Sequence, residues 1–220
     1  MTDKKVIAVL GGTGDLGGGL VYRWAKAGHK IIIGSRLSER AAEAAEKMLE
    51  RVPGADVRGS DNLTAATEGD IVAISIPFSY QRGLLEEVKD VIQGKILIDT
   101  TVCLAPPKVG TVNIPNEGSA GMIAQSVLGE EVRVVSAFQN IAAAHLDSDH
   151  DINCDVLVCG NSKEAREQVI ALAEDAGMKG WHAGNINNSV AVEGMTSILI
   201  TLNKRYKIPG SGFVITGEPK

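Results

Sequence analysis

The sequence contains no apolar run of the eighteen or so residues that a membrane-spanning helix requires, so no membrane span is expected. Its cysteines are few: Cys103, Cys154 and Cys159. They are odd in number and lack paired CxxC spacing, which argues against a disulfide framework and for a reduced, cytoplasmic setting. Basic charge is not in excess either. Lys and Arg number 22 against 27 Asp and Glu, a net charge of −5, so no global field draws nucleic acid or anionic lipid. Any anionic ligand must be held by a local basic cluster. The opening "MTDKK" leads straight toward a strand with no signal-peptide pattern.

What is present is ordinary for a globular protein: 220 residues, 44% apolar and 22% charged. That length suits one large domain, or one domain with a small annex, and is enough to bury a core. Apolar strands alternate with helical segments: "KKVIAVLGG", then "DLGGGLVYRWAKAGH", "HKIIIGSR", "LSERAAEAAEKMLERV", "DVRGS", "NLTAATEG", "DIVAISIP", "YQRGLLEEVKDVI" and "GKILIDTT". Ser38 is the expected N-cap of the second helix, with Pro53 and Gly54 stopping it, and Asp61 the cap of the third. Residues 106–118 read as a long loop, followed by a helix in "SAGMIAQSVLG" and a strand in "EVRVVSAF". This rhythm implies an α/β fold, a Rossmann-type doubly wound, mostly parallel sheet. Beyond about residue 142 follow "CDVLVCG", "SKEAREQVIALAEDAG", "MKGWHAG" and the long helix "SVAVEGMTSILITLNKRY". A boundary is expected near residue 145, giving a nucleotide-binding domain over 1–145 and a small C-terminal α/β domain over 146–220.

Gly12-Thr13-Gly14-Asp15-Leu16-Gly17 fits G-x-G-x-x-G between a strand and a helix, with a second strand closing the unit within about 30 residues. Gly12 is read as the tight turn, Gly14 as the close approach to a pyrophosphate, and Gly17 as the helix–strand contact. At the end of the second strand, where an acid would select an unphosphorylated ribose, stand Ser35 and Arg36, with Arg40 one helical turn on. A guanidinium there grips a 2′-phosphate through paired hydrogen bonds, and a basic residue at a helix start has no better structural reason, because it faces the positive end of the dipole. With Thr13 adding a hydroxyl, NADP is the expected dinucleotide. Ile76 and Pro77, after the fourth strand, are placed to wall the nicotinamide, and the "DTTVC" turn with Val102 and the "SAFQNIAAA" segment to reach the same crevice.

No acid–base residue is apparent. His29 lies in a turn on the wrong side of the sheet, and His182 has no evident partner. His145 and His150 stand with Asp147, Asp149 and Asp151 in a segment read as a solvated loop rather than a metal site. Cys154 and Cys159 read as strand core. The inventory favours a hydride transfer in which cofactors carry the chemistry and the protein aligns them.

The stretch "VLGGTGDLGGGLVYRWAKAGHKIIIGSRLSERA", with "GDIVAISIPF", "ILIDTTV", "EGSAGMIAQ" and "VVSAFQNIAAA", resembles the NADPH-dependent reductases of coenzyme F420, the 8-hydroxy-5-deazaflavin:NADP oxidoreductases. The resemblance covers most of residues 5–145. It implies hydride transfer between NADP(H) and C5 of the deazaflavin, which lies in a cleft between the two domains. It places 2′-phosphate contacts on Thr13, Ser35, Arg36 and Arg40, and the deazaflavin site around Gln139, Asn140 and Ile141. Gln139 stands where relatives often carry histidine, and Ile141 would press on the ring. A homodimer is also implied. Two other readings stay open: another reductase on this scaffold, acting on imines or ferric iron, and a non-enzymatic NADP-binding redox sensor.

Overall fold

The computed structural model describes residues 5–217; residues 1–4, which open the "MTDKK" lead-in, and residues 218–220 lie outside them. Six strands, Val6–Leu10 (β1), Lys30–Ser35 (β2), Val57–Asp61 (β3), Ile71–Ile74 (β4), Ile96–Asp99 (β5) and Arg133–Ser136 (β6), pair in parallel in the order β3-β2-β1-β4-β5-β6. Asp155–Gly160 (β7) extends the sheet antiparallel to β6, and Lys179–His182 (β8) runs parallel to β7 at the edge. The order reverses between β1 and β4, the switch point outside which such sheets hold ligands.

Helices cover both faces, and the strands feed both. In β1, Ile7 and Val9 enter one core while Ala8 and Leu10 enter the other, as the two-residue side-chain period of a strand requires. The first core lies under Asp15–Lys26 (α1), Ser38–Arg51 (α2) and Lys163–Asp175 (α7); it holds Leu20, Trp24, Ala41, Ala45, Val169 and Leu172. The second lies under Asn62–Glu68 (α3), Phe78–Val88 (α4) and Ala120–Leu128 (α5), with Ala65, Leu85, Val88, Ala124 and Leu128. Two helices remain: the short Ala143–Leu146 (α6), and Ser189–Tyr206 (α8), which matches the long helix of the sequence reading.

Caps decide several element ends. Asp61 accepts from the Thr64 amide at 2.9 Å, and Ser119 caps α5 through the Met122 amide. Ser38 is not a cap: it is the first residue inside α2, and Leu37 stands at the N-cap. That leaves α2 without an N-cap side chain, although the Leu37 amide donates to Ser35 Oγ at 3.3 Å.

The second half of the chain is fastened to α1. Arg23 donates to the carbonyls of His145, Leu146 and His150. The fully buried Trp24 donates to the Leu172 carbonyl at 2.9 Å and meets Phe138 edge-on, with centroids 5.8 Å apart. His29 pairs with Asp175 at 2.7 Å. Two acids of the "HLDSDHD" segment are paired: Asp147 with Arg51, and Asp149 with Lys26 and the Tyr22 hydroxyl.

Candidate functional site

One cavity of about 740 Å³ opens at the carboxyl ends of β1, β2 and β4, within the range of small-molecule sites. Thr13, Gly14, Ser35, Arg36 and Arg40 line it on one side, and Ile76 and Pro77 on another. The remaining loop residues Gly12, Asp15, Leu16 and Gly17 stand behind this wall. Asp15 begins α1 and is exposed, while Gly12 and Gly17 are buried.

The loop works through backbone. Gly14 is the N-cap of α1 and supplies no side-chain cap, so first-turn amides are left for an anionic ligand. The left-handed residue is Gly11, not Gly12: its φ is +82°, and a Cβ there would stand 2.3 Å from the Ser75 carbonyl oxygen. Gly17 packs against the Gly11 carbonyl so closely that a Cβ would lie 2.5 Å from its oxygen, which agrees with the close-contact role read for it.

Arg36 is exposed, and its guanidinium lies over the ring of Tyr80, 5.3 Å from the centroid. Tyr80 belongs to a group on α4, with Gly83, Leu84 and Glu87, that lines the cavity opposite the β2–α2 corner. Sequence reasoning missed this wall. The signal was available in the i, i+3, i+4, i+7 spacing of those four positions, which puts them on one helix face.

The comparisons with known proteins bear on this site. The family model described as "NADP oxidoreductase coenzyme F420-dependent" matches residues 6–103. The F420-dependent NADP reductase of Methanocaldococcus jannaschii is 44% identical over 96% of this chain and 97% of its own. The chain belongs to this family. The F420-dependent NADP reductase of Methanothermobacter marburgensis is 38% identical over 97% of this chain and 99% of its own. The fold is matched by a crystal structure from Arthrobacter sp. FB24, provisionally assigned as an F420-dependent NADP reductase, with a TM-score of 0.82 at 22% identity, covering 98% of this chain and all of that one.

A second set of residues gathers at the carboxyl ends of β5 and β6, outside the cavity that Ile76 and Pro77 line, whereas the sequence reading expected both in one crevice. Phe138 takes a left-handed backbone, φ 70°, with its ring buried, an outlier for a bulky residue. The chain turns there, and Gln139, Asn140 and Ile141 follow, all buried. Gln139 Nε2 donates to the Asp99 carbonyl and to Ser136 Oγ; its Oε1 is buried without a partner. Asn140 Nδ2 donates to the Val192 carbonyl and to Thr196 Oγ1 of α8. Ile141 joins the core that holds Phe138. Val102 lines a separate hollow of about 10 Å³ between the 102–118 loop and α8.

Two carboxyl groups lie beneath this region. Asp99 is fully buried, and burial raises its pKa to about 6 against hydrogen bonds from Thr101 and Gln81. Glu193 of α8 accepts from the Ala120 and Gly121 amides at 2.8 and 3.0 Å, at the start of α5. Burial raises it to about 7, with Asp99 adding to the rise, although the amide bonds favour its charged form. Gln81 links the two, donating both to Asp99 and to the Ala120 carbonyl. Nothing in the sequence announces this pair, because its members are 94 positions apart and meet only in the fold. His182, which has no evident partner in sequence, accepts from Arg166 Nε at 2.7 Å.

Proposed function

We propose that this protein transfers a hydride between NADP(H) and coenzyme F420. The observation that carries the proposal is one cavity holding Thr13, Ser35, Arg36 and Arg40 beside the glycine loop, in a chain similar from end to end to F420-dependent NADP reductases. When bound, the nicotinamide and the deazaflavin supply the redox chemistry, and the protein supplies position and charge. The α1 amides hold the pyrophosphate. Ser35, Arg36 and Arg40 bind the 2′-phosphate, which is NADP's distinguishing anion. Ile76 and Pro77 wall the nicotinamide. Gln139, Asn140 and Ile141, with Val102, form the deazaflavin side, and no side chain acts there as acid or base. Buried, unpartnered Gln139 Oε1 suits a site completed by a polar ring edge. In this reading residues 1–145 bind NADP, and residues 146–220 complete the cleft.

Mixing the protein with NADPH and oxidised F420 tests the reading. Loss of the deazaflavin's visible absorbance at a turnover rate is expected; tight NADPH binding without turnover would favour the sensor instead. Arg36→Ala should raise the KM for NADPH about ten- to a hundredfold, from one or two charge-assisted bonds lost, and leave the KM for NADH nearly unchanged. Equal effects on both would remove the 2′-phosphate role of Arg36.

The protein acts, in the same reading, as a cytoplasmic homodimer. Ile198, Leu202 and Tyr206 are exposed at i, i+4 and i+8 on α8, an apolar row suited to a second copy of itself. Sedimentation should give twice the 23.1 kDa chain mass, and Ile198→Lys with Leu202→Lys should return the protein to that mass.

A further inference from the structure

Asn62 is the first residue of α3 and only 5% exposed, yet it lines the cavity. Its Oδ1 is buried with no hydrogen-bond partner. A carbonyl oxygen withdrawn from water and left without a donor is costly, and such groups in folded proteins call for an explanation. The site around it supplies one. Asn62 sits at the back of the cavity beside β2: a Cβ on Gly34, the residue before Ser35, would lie 3.0 Å from Oδ1. In front of it, the cavity is walled by weakly polar surfaces from two sides. Leu84 and the ring of Tyr80 come from α4, and Leu37 from the opposite corner. Gly83 leaves the α4 wall open, since nothing lies within 4 Å of where its Cβ would be. Arg36, stacked on Tyr80, closes one end with a planar cation.

A flat base joined to a phosphate-bearing sugar matches this arrangement. The sugar phosphate meets Arg36 and Arg40, the ring slides along Leu84 and Gly83, and its far edge meets a carboxamide. Adenine offers an amino donor beside a ring-nitrogen acceptor, the pattern that an asparagine pairs with through two parallel hydrogen bonds. We propose that the carboxamide of Asn62, whose oxygen is unpartnered at the back of the cavity between α4 and the β2–α2 corner, reads the adenine edge of the dinucleotide. Asn62 is thereby a specificity-determining residue for the base, separate from the arginines that select the phosphate. The proposal rests on the NADP reading given above.

The test compares NADPH with its hypoxanthine analogue, in which an oxo group replaces the 6-amino group. Dissociation constants are read by quenching of protein fluorescence, and stability by thermal unfolding without ligand. Wild type should bind NADPH about tenfold more tightly than the analogue, the worth of one good hydrogen bond. Asn62→Ala should weaken NADPH about tenfold and bring the two ligands within twofold of each other. Its ligand-free melting temperature should hold or rise, because an unsatisfied buried group has been removed; a residue with a merely structural role would show the reverse. Asn62→Asp keeps an acceptor but loses the donor, and should fall between the two. Wild type binding both ligands equally, or Asn62→Ala keeping the tenfold preference, would overturn the assignment while leaving the NADP reading intact. Failure of wild type to bind NADPH at all would overturn both.

Discussion

Gly11→Ala will weaken NADPH binding by more than about a hundredfold while the chain still folds. Two costs coincide at this position. Its φ of +82° is a conformation that an L-residue with a Cβ adopts at roughly 1–2 kcal/mol. The new methyl would also stand 2.3 Å from the Ser75 carbonyl oxygen and 2.7 Å from Ile76 Cγ2. Ser75 and Ile76 are backbone and wall of the cavity itself, so the clash is relieved only by moving the glycine loop away from the end of β4. The α1 amides then lose their aim, and a loss of about 2.7 kcal/mol or more in binding corresponds to that hundredfold. The strain should also lower the melting temperature by about 5–10 °C, at roughly 2–4 °C per kcal/mol for a chain of this size. Gly14→Ala is the contrast: its Cβ would meet only the Gly11 oxygen, at 3.4 Å. It should leave the melting temperature within a degree or two and weaken binding through ligand approach alone. If Gly11→Ala titrates with NADPH as wild type does, the account of the loop is wrong.

Glu193→Ala should be the most destabilising of the changes considered, by about 3–5 kcal/mol, and the loss will depend on pH. Removing the carboxyl leaves the Ala120 and Gly121 amides, and the Cys103 thiol that leans on it at 3.7 Å, buried without an acceptor, and each buried donor left unpaired costs about 1–3 kcal/mol. Glu193→Gln keeps one acceptor oxygen and should lose less than half of it. For wild type the direction with pH follows from the raised values of about 6 for Asp99 and about 7 for Glu193. Between pH 4 and pH 7 the folded chain holds protons that the unfolded chain has released, so stability is greatest at the low end and falls as pH rises. The fall should be on the order of a few kcal/mol across that window. Urea unfolding at pH 5 and pH 8 measures it. Glu193→Gln should flatten the difference, and a wild type more stable at pH 8 than at pH 5 would contradict the burial of this pair.

The parts of the fold written in local pattern could be read directly. The runs around Ile32, Val72 and Leu97 are apolar without alternation because both faces of a parallel strand are covered, and that alone implied helices on each side. Arg36 could be read because its meaning depends on distance along the chain from the glycine loop. Gly12 does lie in the turn that the Gly14 amide closes on the Gly11 carbonyl, but the motif counts three glycines, whereas the chain has a fourth at Gly11, and only backbone angles tell that this one is left-handed. Asn62, Tyr80 and Leu84 escaped because they serve the cavity from elements brought beside β2 by the crossover, and no local rule says which face of α4 looks toward α2. The Asp99–Glu193 pair, and the support that Arg166 gives His182, depend on the docking of elements far apart in sequence.

Arg23 and Trp24 of α1, and His29 in the turn after it, bolt the helix that follows the glycine loop to α6, α7 and the segment between α6 and β7. A nucleotide seated on the amino end of that rod is therefore braced from behind by residues contributed more than a hundred positions later. Heat or denaturant that loosens the tail must slacken the grip on the coenzyme in the same event, and a shortened chain ending near residue 145 would present the right loop on an unsupported beam.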